Sequence, residues 1–469
     1  MSDNLVCNKE MPLSGFGKVS SNVIMRAVKK IHPPFYLYDE SVIEQKCNAI
    51  KNMDLGPFNL EPRYAFKANS NMAIAQSIAM QGFNFDCSTL EEVLRLQMAG
   101  IPVRKVMLTS QQVPYGYDHE TLKGMMKNGL KYNVCSLRQL ELIAPFAGKN
   151  NIPLSIRIHP EKGGSGESLT RNTANKYSCF GVLLRDLSVA LDYAYQKNVI
   201  FDSAHVHIGS GGDQIKWNDN IINELGIAAR YFSNLKRISF GGGIKEGRMP
   251  GEQVADLDLL ANIAKKALLS YKDKTGMEPV VEIEPGTYIV ANSGYIVTEV
   301  VDKKSTGPDG YNFLILGGGC MTLNARSMCY GSQHPFYLVQ KNGDILSTEL
   351  KLDGCDPNGI IPVGTNCESG DGWSVEHSAE IDANGNPVLV EKIVPRVMGN
   401  PNIGDYFICG GAGAYCSSMS FSNYNSMLKV PELLLAKNGE LYCIRKKESM
   451  EQLIANELGL SDFNPQLLN

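Results

Sequence analysis

The stretch Arg63-Tyr64-Ala65-Phe66-Lys67-Ala68-Asn69-Ser70-Asn71 joins a short β-rich run, a single lysine, and small polar residues that lead into a predicted helix. Lysine side chains are mostly exposed in folded proteins, so a solvated lysine at a strand end is the ordinary interpretation. A lysine at the carboxyl end of a strand, beside apolar neighbours, can instead be desolvated, which lowers its pKa and makes its amine a nucleophile toward a carbonyl group. The rest of the chain has to decide between these two interpretations of Lys67.

From about Pro34 to Gly286, short runs of β-branched and aromatic residues alternate with longer segments of helical period. Eight strand-plus-helix units in this span predict a (β/α)8 barrel, the TIM barrel, and a doubly wound open sheet is the alternative. The predicted strands are Arg63–Lys67, Phe83–Ser88, Lys105–Thr109, Lys131–Val134, Leu154–His159, Ser203–Ile208, Arg237–Phe240 and Val280–Glu284.

After Gly286 the pattern changes to strands separated by Gly, Asn and Pro turns, and helices are expected only near Glu448–Leu458. A chain of 469 residues exceeds the size that one core usually reaches, so two domains are expected. We predict an N-terminal segment 1–33 that joins the β domain, a cofactor-binding barrel over 34–286, and a mostly β domain of sandwich or barrel-like type over 287–469. The predicted strands of this last domain are Tyr288–Lys303, Tyr311–Leu316, Pro335–Gln340, Val388–Pro395 and Asp405–Cys409.

Composition narrows the range of partners. The 45 basic and 49 acidic side chains leave a net charge of −4, which gives no reason to expect nucleic acid or an anionic membrane as a partner. The sequence has no signal-peptide pattern and no long apolar segment, so a cytoplasmic protein is expected. The twelve cysteines form no C-x-x-C pair and no Cys/His cluster, so we expect reduced thiols and no metal site.

Residues at the predicted strand ends form a chemically coherent set. In a barrel, functional groups gather where strands end and loops begin. A nucleophilic lysine, glycines whose amides approach an anion closely, and a terminal carboxylate together describe a site for pyridoxal 5'-phosphate. The set comprises Lys67, Asp86, His207 and Ser210 in the run His205–Gly212, the triplet Gly241, Gly242 and Gly243, and Glu284 followed by Gly286.

These residues carry a resemblance to a known family. The segments YAFKANSN at 64–71, FDCS at 85–88, HIGS at 207–210, GGG at 241–243, EPG at 284–286, CESGD at 367–371 and GAY at 413–415 occur in this order. They resemble the diaminopimelate decarboxylase branch of the pyridoxal-phosphate-dependent decarboxylases with the alanine racemase fold (fold type III). The resemblance extends over nearly the whole chain, from about residue 34 to residue 445.

The resemblance implies roles for individual residues. Lys67 is implied to bind the cofactor covalently, His207 to stack on its ring, Glu284 to pair with the pyridine nitrogen, and Gly243 and Tyr415 to contact the phosphate. Cys367 is implied to be the general acid that protonates the carbanion after carbon dioxide leaves, a task that suits a thiol with a pKa of about 8.5. Members of the family are homodimers in which the Cys-Glu-Ser segment completes the partner's active site.

The sequence departs from the family pattern at Thr287, at Gly411, where an aspartate is common, and after Asn425, where Ser-Met-Leu-Lys replaces an arginine-and-proline run. Thr287 follows Glu-Pro-Gly where the family usually has an arginine, and threonine cannot form a bidentate clamp on an anion. Arg326 and Tyr330 match the other arginine and tyrosine that bind substrate, and Glu368, Asp371 and Tyr415 complete the predicted substrate-binding set.

The expected function is decarboxylation of an amino acid. A glutamate that faces an ammonium group and an arginine that faces a carboxylate suit a diamino diacid, so meso-diaminopimelate, converted to L-lysine in lysine biosynthesis, is the first substrate to expect. Ornithine, lysine, or a carrier-tethered or siderophore-pathway intermediate is the alternative. An amino-acid racemase and a non-catalytic cofactor carrier are further alternatives, although neither explains the Cys-Glu-Ser-Gly-Asp run.

Overall fold

The structure is a computed structural model that describes residues 9–14, 17–161, 173–176, 178–209, 214–348, 359–381 and 387–459. Two compact units form within it. One comprises Glu40–Ser293, and the other combines the chain up to Asp39 with the chain from Gly294 onward. The barrel unit and the β unit are the names used below.

Strands and helices are numbered along the chain. The strands are β1 Phe35–Asp39, β2 Leu60–Ala65, β3 Asn84–Cys87, β4 Val106–Leu108, β5 Lys131–Val134, β6 Leu154–His159, β7 Val182–Leu183, β8 Phe201–His205, β9 Arg237–Ser239, β10 Val280–Ile283, β11 Gly294–Ser305, β12 Asn312–Leu316, β13 Phe336–Val339, β14 Ile345–Thr348, β15 Ile360–Val363, β16 Val375–Ile381, β17 Pro387–Ile393, β18 Tyr406–Cys409, β19 Glu432–Leu435 and β20 Leu441–Arg445. The helices are α1 Ser21–Lys30, α2 Glu40–Lys51, α3 Met72–Met80, α4 Leu90–Met98, α5 Gly116–Lys127, α6 Leu137–Lys149, α7 Leu187–Gln196, α8 Gln214–Tyr231, α9 Leu257–Thr275, α10 Thr287–Val290, α11 Cys320–Leu323, α12 Ala325–Tyr330 and α13 Met450–Leu453.

The barrel unit contains a closed parallel sheet. Its strands pair in the order β5, β4, β3, β2, β10, β9, β8 and β6, and pairing between β5 and β6 closes the ring. The two-residue strand β7 adds to β6 from outside this ring. The predicted eight-stranded TIM barrel is therefore confirmed, and the doubly wound alternative is wrong because an open sheet has two edges.

Capping residues define where the barrel helices begin. The Thr89 hydroxyl accepts a hydrogen bond from the backbone of Glu92, and the Asn71 side chain accepts one from Ala73, so α4 and α3 start immediately after loops that follow strands. Helix α4 then buries Leu90, Val93 and Leu96. Helices that start in this way leave the loops above the carboxyl ends of the strands available for a site.

The β unit is built on a mixed sheet. Strand β1 lies in its centre, antiparallel to β11 and parallel to β19, and the sheet continues through β18 and β13 to β14 on one side and to β20 on the other. Strands β12 and β15 extend it from β11, while β16 and β17 form a separate hairpin. A mostly β unit is confirmed.

Two expectations about this region are wrong in detail. The segment predicted as one strand from Tyr288 begins instead as helix α10 and a 3-10 turn, and the strand starts only at Gly294. Helices also occur at α11 and α12, well before the end of the chain. The second of these ends at Gly331, whose φ of +58° terminates the helix in the left-handed region.

Candidate active site

Lys67 lies in a short 3-10 turn, Phe66–Ala68, directly after β2. Its side chain is exposed, whereas Phe66, Ala68 and Asn69 on either side are buried. The turn is held by the Tyr64 hydroxyl, which donates to the Asn69 carbonyl at 3.1 Å. The sequence therefore directs one amine outward from an otherwise buried stretch at the carboxyl end of the barrel.

Asp86 is a buried carboxyl group at the end of β3. It accepts a hydrogen bond of 2.6 Å from the Thr109 hydroxyl, whose oxygen in turn accepts one of 3.2 Å from the Asn133 amide. Burial and the negative charge of Glu284 raise the pKa of Asp86 well above its ordinary value, although Lys67 opposes the shift. Asp86 is therefore protonated more readily than Glu284.

Glu284, immediately after β10, keeps its charge. Its Oε2 accepts a hydrogen bond of 3.2 Å from His205 Nε2, which also lies 3.0 Å from Oε1, and its Oε1 accepts a hydrogen bond of 3.0 Å from the Ser239 hydroxyl. Burial by itself would raise the pKa of Glu284, but the charge and hydrogen bond of His205 outweigh it, with His207 and Arg157 adding to the lowering. The site thus holds an ionised carboxylate that is only 8% exposed.

His207 follows β8 and has a fixed orientation. Its Nδ1 accepts a hydrogen bond of 2.9 Å from the backbone N–H of Gly242, which places the proton of the neutral ring on Nε2. Burial, followed by the charges of Arg157 and Lys67, lowers the pKa of His207 well below its ordinary value. The imidazole is therefore neutral and suited to stack against an aromatic ring.

The glycine triplet after β9 forms a tight cradle. Gly241 and Gly243 have φ angles of +64° and +97°, in the left-handed region that other residues seldom adopt. A Cβ on Gly242 would lie 2.8 Å from the backbone oxygen of Glu284, and one on Gly243 would lie 2.8 Å from the backbone oxygen of Gly209. Side chains are thus excluded from a turn whose amides can approach an anion.

Gly286 and Ser210 are the two remaining predicted residues of the barrel. A Cβ on Gly286 would lie 3.1 Å from the Cβ atoms of Ala65 and Ala68, so this glycine allows the chain after β10 to pack against the turn that carries Lys67. Ser210 lies outside the described residues. The structure brings Lys67, Asp86, His207, the glycine triplet and Glu284 to the same end of the barrel.

The β unit contains the second group of predicted residues. Arg326, in α12, is 8% exposed, and its Nε has no hydrogen-bond partner in the described part of the chain. Its guanidinium lies 5.2 Å from the ring centroid of Tyr330 and 5.6 Å from that of Tyr415. Tyr415 has a φ of +59°, a strained conformation that recurs at functional sites. A buried cation with an unused donor, between two aromatic rings, can bind an anion.

Cys367 and Glu368 are exposed in the loop between β15 and β16. The backbone N–H of Cys367 donates to the Asn425 side chain at 2.8 Å, and the Tyr424 hydroxyl contacts the Cys367 carbonyl at 3.5 Å. The backbone of this residue is therefore anchored while its thiol stays available to solvent.

Asp371 has a different environment from the other predicted substrate-binding residues. It is buried, and its two oxygens accept hydrogen bonds from the backbone N–H groups of Met321 and Asn366 at 2.9 and 3.0 Å. Burial raises the pKa of Asp371, whereas these hydrogen bonds lower it. The structure therefore gives this carboxyl group a role in holding the loop, and contact with substrate stays a prediction.

Sequence reasoning missed three side chains that tune the barrel site. His205 and Ser239 hydrogen-bond to Glu284, and the buried Arg157 acts on both Glu284 and His207. His205 precedes His207 by two residues, and period-two spacing on a strand places both side chains on one face. That spacing was the available signal for His205, whereas Ser239 and Arg157 gave none.

Comparison with known proteins defines the class. The family model described as the pyridoxal-binding domain of pyridoxal-dependent decarboxylases matches residues 40–291. The chain belongs to this family, so it is a decarboxylase whose cofactor is pyridoxal 5'-phosphate.

Individual relatives agree with one another. Diaminopimelate decarboxylase of Escherichia coli K12 is 27% identical over 439 residues, which cover 93% of this chain and 96% of that protein. The protein of the same name from Methanothermobacter thermautotrophicus is 28% identical and covers 90% of this chain and 91% of its own length.

Solved structures give the same result. A diaminopimelate decarboxylase structure matches with a TM-score of 0.81 at 26% identity, covering 96% of this chain and 99% of the other. The Helicobacter pylori diaminopimelate decarboxylase complexed with L-lysine has a TM-score of 0.74 at 26% identity, with coverage of 92% and 99%. Lysine/ornithine decarboxylase of Vibrio vulnificus, at 20% identity and a TM-score of 0.66, shares the fold.

The barrel residues fit this cofactor. The exposed amine of Lys67 suits the cofactor's aldehyde, and the ionised, buried carboxylate of Glu284 suits its pyridine nitrogen. The neutral imidazole of His207 suits the face of the ring. The glycine triplet excludes side chains where a phosphate would approach. Within the described residues, no helix combines the length and apolar character needed to cross a bilayer.

Proposed function

We propose that this protein decarboxylates meso-diaminopimelate to L-lysine. The observation that supports this substrate most directly is the buried guanidinium of Arg326 with its unpartnered Nε, because a diacid has a second carboxylate that such a group can bind. The near full-length similarity to diaminopimelate decarboxylases supports the same substrate.

The proposal gives each predicted cofactor-binding residue a role, and the geometry of Lys67, Glu284, His207 and the glycine triplet supports these roles. Pyridoxal 5'-phosphate, when bound, supplies an electron sink for the pair left on the α-carbon. Lys67 attaches the cofactor through Nζ, Glu284 keeps a negative charge for the pyridine nitrogen, and His207 lies on the ring face. The glycine triplet, with Ser210 and Tyr415, holds the phosphate. Asp86, which is readily protonated, lies within the electrostatic influence of the Lys67 amine.

The remaining steps depend on residues of the β unit. Cys367, contributed by a second copy of the chain, donates its thiol proton to the carbon that has lost the carboxylate. Arg326 and Tyr330 bind the distal carboxylate, and Glu368 binds the distal ammonium. This arrangement makes the protein a homodimer. A cytoplasmic location is also proposed, supported by cysteines such as Cys47, Cys87 and Cys135, which form no disulfide.

The substrate is tested by measuring carbon dioxide release from meso-diaminopimelate, L-lysine and L-ornithine with the wild-type protein and with Arg326→Met. We expect the wild type to prefer meso-diaminopimelate, and Arg326→Met to raise KM for the diacid by about a hundredfold while leaving KM for the monocarboxylates within about threefold. A Lys67→Ala protein should release no carbon dioxide. Equal turnover of all three substrates by both proteins would contradict the substrate proposal.

A lysine or ornithine decarboxylase is the second candidate, favoured by Thr287. This half-buried threonine stands where the family usually has an arginine, which reduces the number of anion-binding groups. Preference for L-ornithine or L-lysine over the diacid would support this candidate. Racemisation, or cofactor binding without turnover, would instead overturn decarboxylation as the activity.

The shared active site has its own test. Lys67→Ala and Cys367→Ala proteins are each expected to be inactive, and their subunits are mixed after dissociation. Because half of the resulting dimers combine the two variants and each has one intact site, activity should return to about a quarter of the wild-type value. If both defects lie in the site of a single subunit, the mixture stays inactive.

A further inference from the structure

A second group of ionisable residues occupies the opposite end of the barrel interior. Glu282 of β10 is fully buried, and its Oε1 accepts hydrogen bonds of 2.6 Å from both Arg63 and Arg237. Lys131 Nζ, from the start of β5, lies 4.0 Å from the same oxygen. Three cationic side chains therefore converge on one carboxylate oxygen, and Arg63, Arg237, Lys131 and Glu282 are called the basal cluster below.

The basal cluster contains buried donors and one buried acceptor, Oε2 of Glu282, that have no hydrogen-bond partner among the described residues. Arg63 is 1% exposed, and its Nε and Nη1 have no hydrogen-bond partner in the described part of the chain. Arg237 also binds Glu61 at 2.7 Å, so its guanidinium is shared between two carboxylates. Unpartnered guanidinium donors in a buried site are costly, and an added anionic acceptor would lower that cost.

Lys131 differs from the two arginines because it can lose its charge. Burial, together with the neighbouring charges of Arg63 and Arg237, lowers the pKa of Lys131 to about 8, although Glu282 and Glu61 oppose the shift. Asp202, which also faces this lysine, has a pKa raised by its own burial, and the charge of Lys131 opposes that shift. The Lys131 side chain is still 31% exposed, so a small molecule in solution can reach its amine.

We propose that Lys131 is a site of reversible carbamylation by carbon dioxide. The neutral Nζ attacks the carbon of carbon dioxide, an N–C bond forms, and the electron pair of one C=O bond moves to oxygen. One proton leaves Nζ for solvent, so that the neutral amine becomes a carbamate anion with two acceptor oxygens. Starting from the protonated lysine, two protons are released in all, one when the amine becomes neutral and one when the carbamate forms. The modification replaces repulsion between Lys131 and the two guanidinium groups with attraction, and this gain has to outweigh the lost attraction between Lys131 and Glu282. Carbon dioxide is also the product expected of a decarboxylase, although the proposal does not depend on which amino acid is the substrate.

The experiment supplies dissolved carbon dioxide directly to the folded protein. Wild-type protein in bicarbonate at pH 8 is treated with a trialkyloxonium salt, which traps carbamates as stable esters, and digested for peptide mass spectrometry. Lys149, an exposed lysine of α6, is the internal control. An ordinary lysine has a pKa near 10.4, so its neutral fraction at pH 8 is about a hundredfold smaller than that of Lys131. We expect trapping at Lys131 to exceed trapping at Lys149 by a comparable factor, and equal trapping at the two sites would overturn the proposal.

Two further measurements distinguish carbamylation of Lys131 from direct reaction of its amine with the trapping reagent. At fixed dissolved carbon dioxide, the initial rate of carbamate formation at Lys131, measured by trapping at short times, should rise about fivefold from pH 7 to pH 8 and then level off, because this rate follows the neutral fraction of the amine. The initial rate at an ordinary lysine gains about tenfold with every pH unit. Bicarbonate at pH 8 should also raise the Tm of the wild type and of Lys149→Arg, relative to chloride of equal ionic strength, because the carbamate forms on the native state. Lys131→Met should show no such rise. A rise of equal size in Lys131→Met would overturn the proposal, and the trapping experiment needs no variant to fold.

Discussion

Glu282 and Glu284 are two buried carboxylates of the same strand region that differ in the partners around them. Both have a pKa below the ordinary value. Glu282 is held by Arg63 and Arg237, whose charges do not change at any ordinary pH. Glu284 is held by an imidazole and a hydroxyl, whose proton positions can change. The comparison teaches that burial and residue type do not distinguish these two carboxylates, whereas the chemistry of their partners does.

The largest expected effect comes from removing the charge of the structural carboxylate. Glu282→Gln leaves the buried guanidinium of Arg63 without its counter-ion and leaves Arg237 paired with Glu61 alone, so the free energy of unfolding should fall by about 3–5 kcal/mol. The turnover number of the folded fraction should stay within about threefold of the wild type. Urea denaturation and active-site-normalised kcat measure the two quantities. A kcat that fell as far as that of the corresponding variant of Glu284 would remove the distinction between the two ends of the barrel.

The converse substitution acts on catalysis. Glu284→Gln keeps the shape but not the negative charge that pairs with the pyridine nitrogen, so kcat at saturating cofactor should fall by about a hundredfold to a thousandfold. The loss of unfolding free energy should be smaller than in Glu282→Gln, because neither His205 nor Ser239 has to remain charged. An activity within about tenfold of the wild type would show that the proposed role of Glu284 is wrong.

A substitution in the glycine cradle tests cofactor binding at the carboxyl ends of the barrel strands without changing any charge. Gly242→Ala would place a Cβ 2.8 Å from the Glu284 backbone oxygen and 3.3 Å from His207 Cε1. The turn has to shift, and the dissociation constant for pyridoxal 5'-phosphate should rise by about tenfold or more. Gly226→Ala is the matched control, because a Cβ at that position in α8 would contact nothing within 4 Å. Equal cofactor affinity in the two variants would argue against the cradle.

The smallest expected effect concerns the pH dependence of stability. The pKa of Lys131 is about 8 in the folded protein and ordinary, near 10.4, in the unfolded chain. Between these values the unfolded chain binds more protons, so this lysine makes stability increase with pH from about 8 to about 10. Lys131→Met should lack that increase, which urea denaturation in carbon-dioxide-free buffers from pH 7 to pH 10 would measure. An identical pH dependence in both proteins would show that Lys131 titrates normally.

The sequence predicted the barrel and the upper half of its site because both depend on local signals. Alternating strands and helices define the eight units, and the residues proposed to carry the chemistry come shortly after strands, where period and position can be counted. Lys67, His207 and Glu284 could therefore be named from sequence, and the family match agrees with the cofactor that they imply.

The remainder depends on contacts between distant segments. Arg63 was part of the stretch that predicted the first barrel strand, yet nothing local indicates that it binds Glu282, 219 residues further along the chain. Strand β1 was not predicted, because a five-residue strand shows its place only through its partners β11 and β19. Helix α10 was also missed, since the β-branched residues of Thr287–Val290 favour a strand when considered alone.

The ion pair between Arg63 and Glu282 also specifies the register between strands β2 and β10. A slip of one residue between β2 and β10 would turn one member of the pair away from the barrel interior and leave the other unmatched. Lys67 lies four residues beyond Arg63, and Glu284 lies two residues beyond Glu282. The ion pair between Arg63 and Glu282 therefore fixes the positions of the Lys67 amine and the Glu284 carboxylate along the barrel axis relative to each other. Loops above the strands can therefore be exchanged during evolution, and new substrates acquired, without any readjustment of the distance between these two groups.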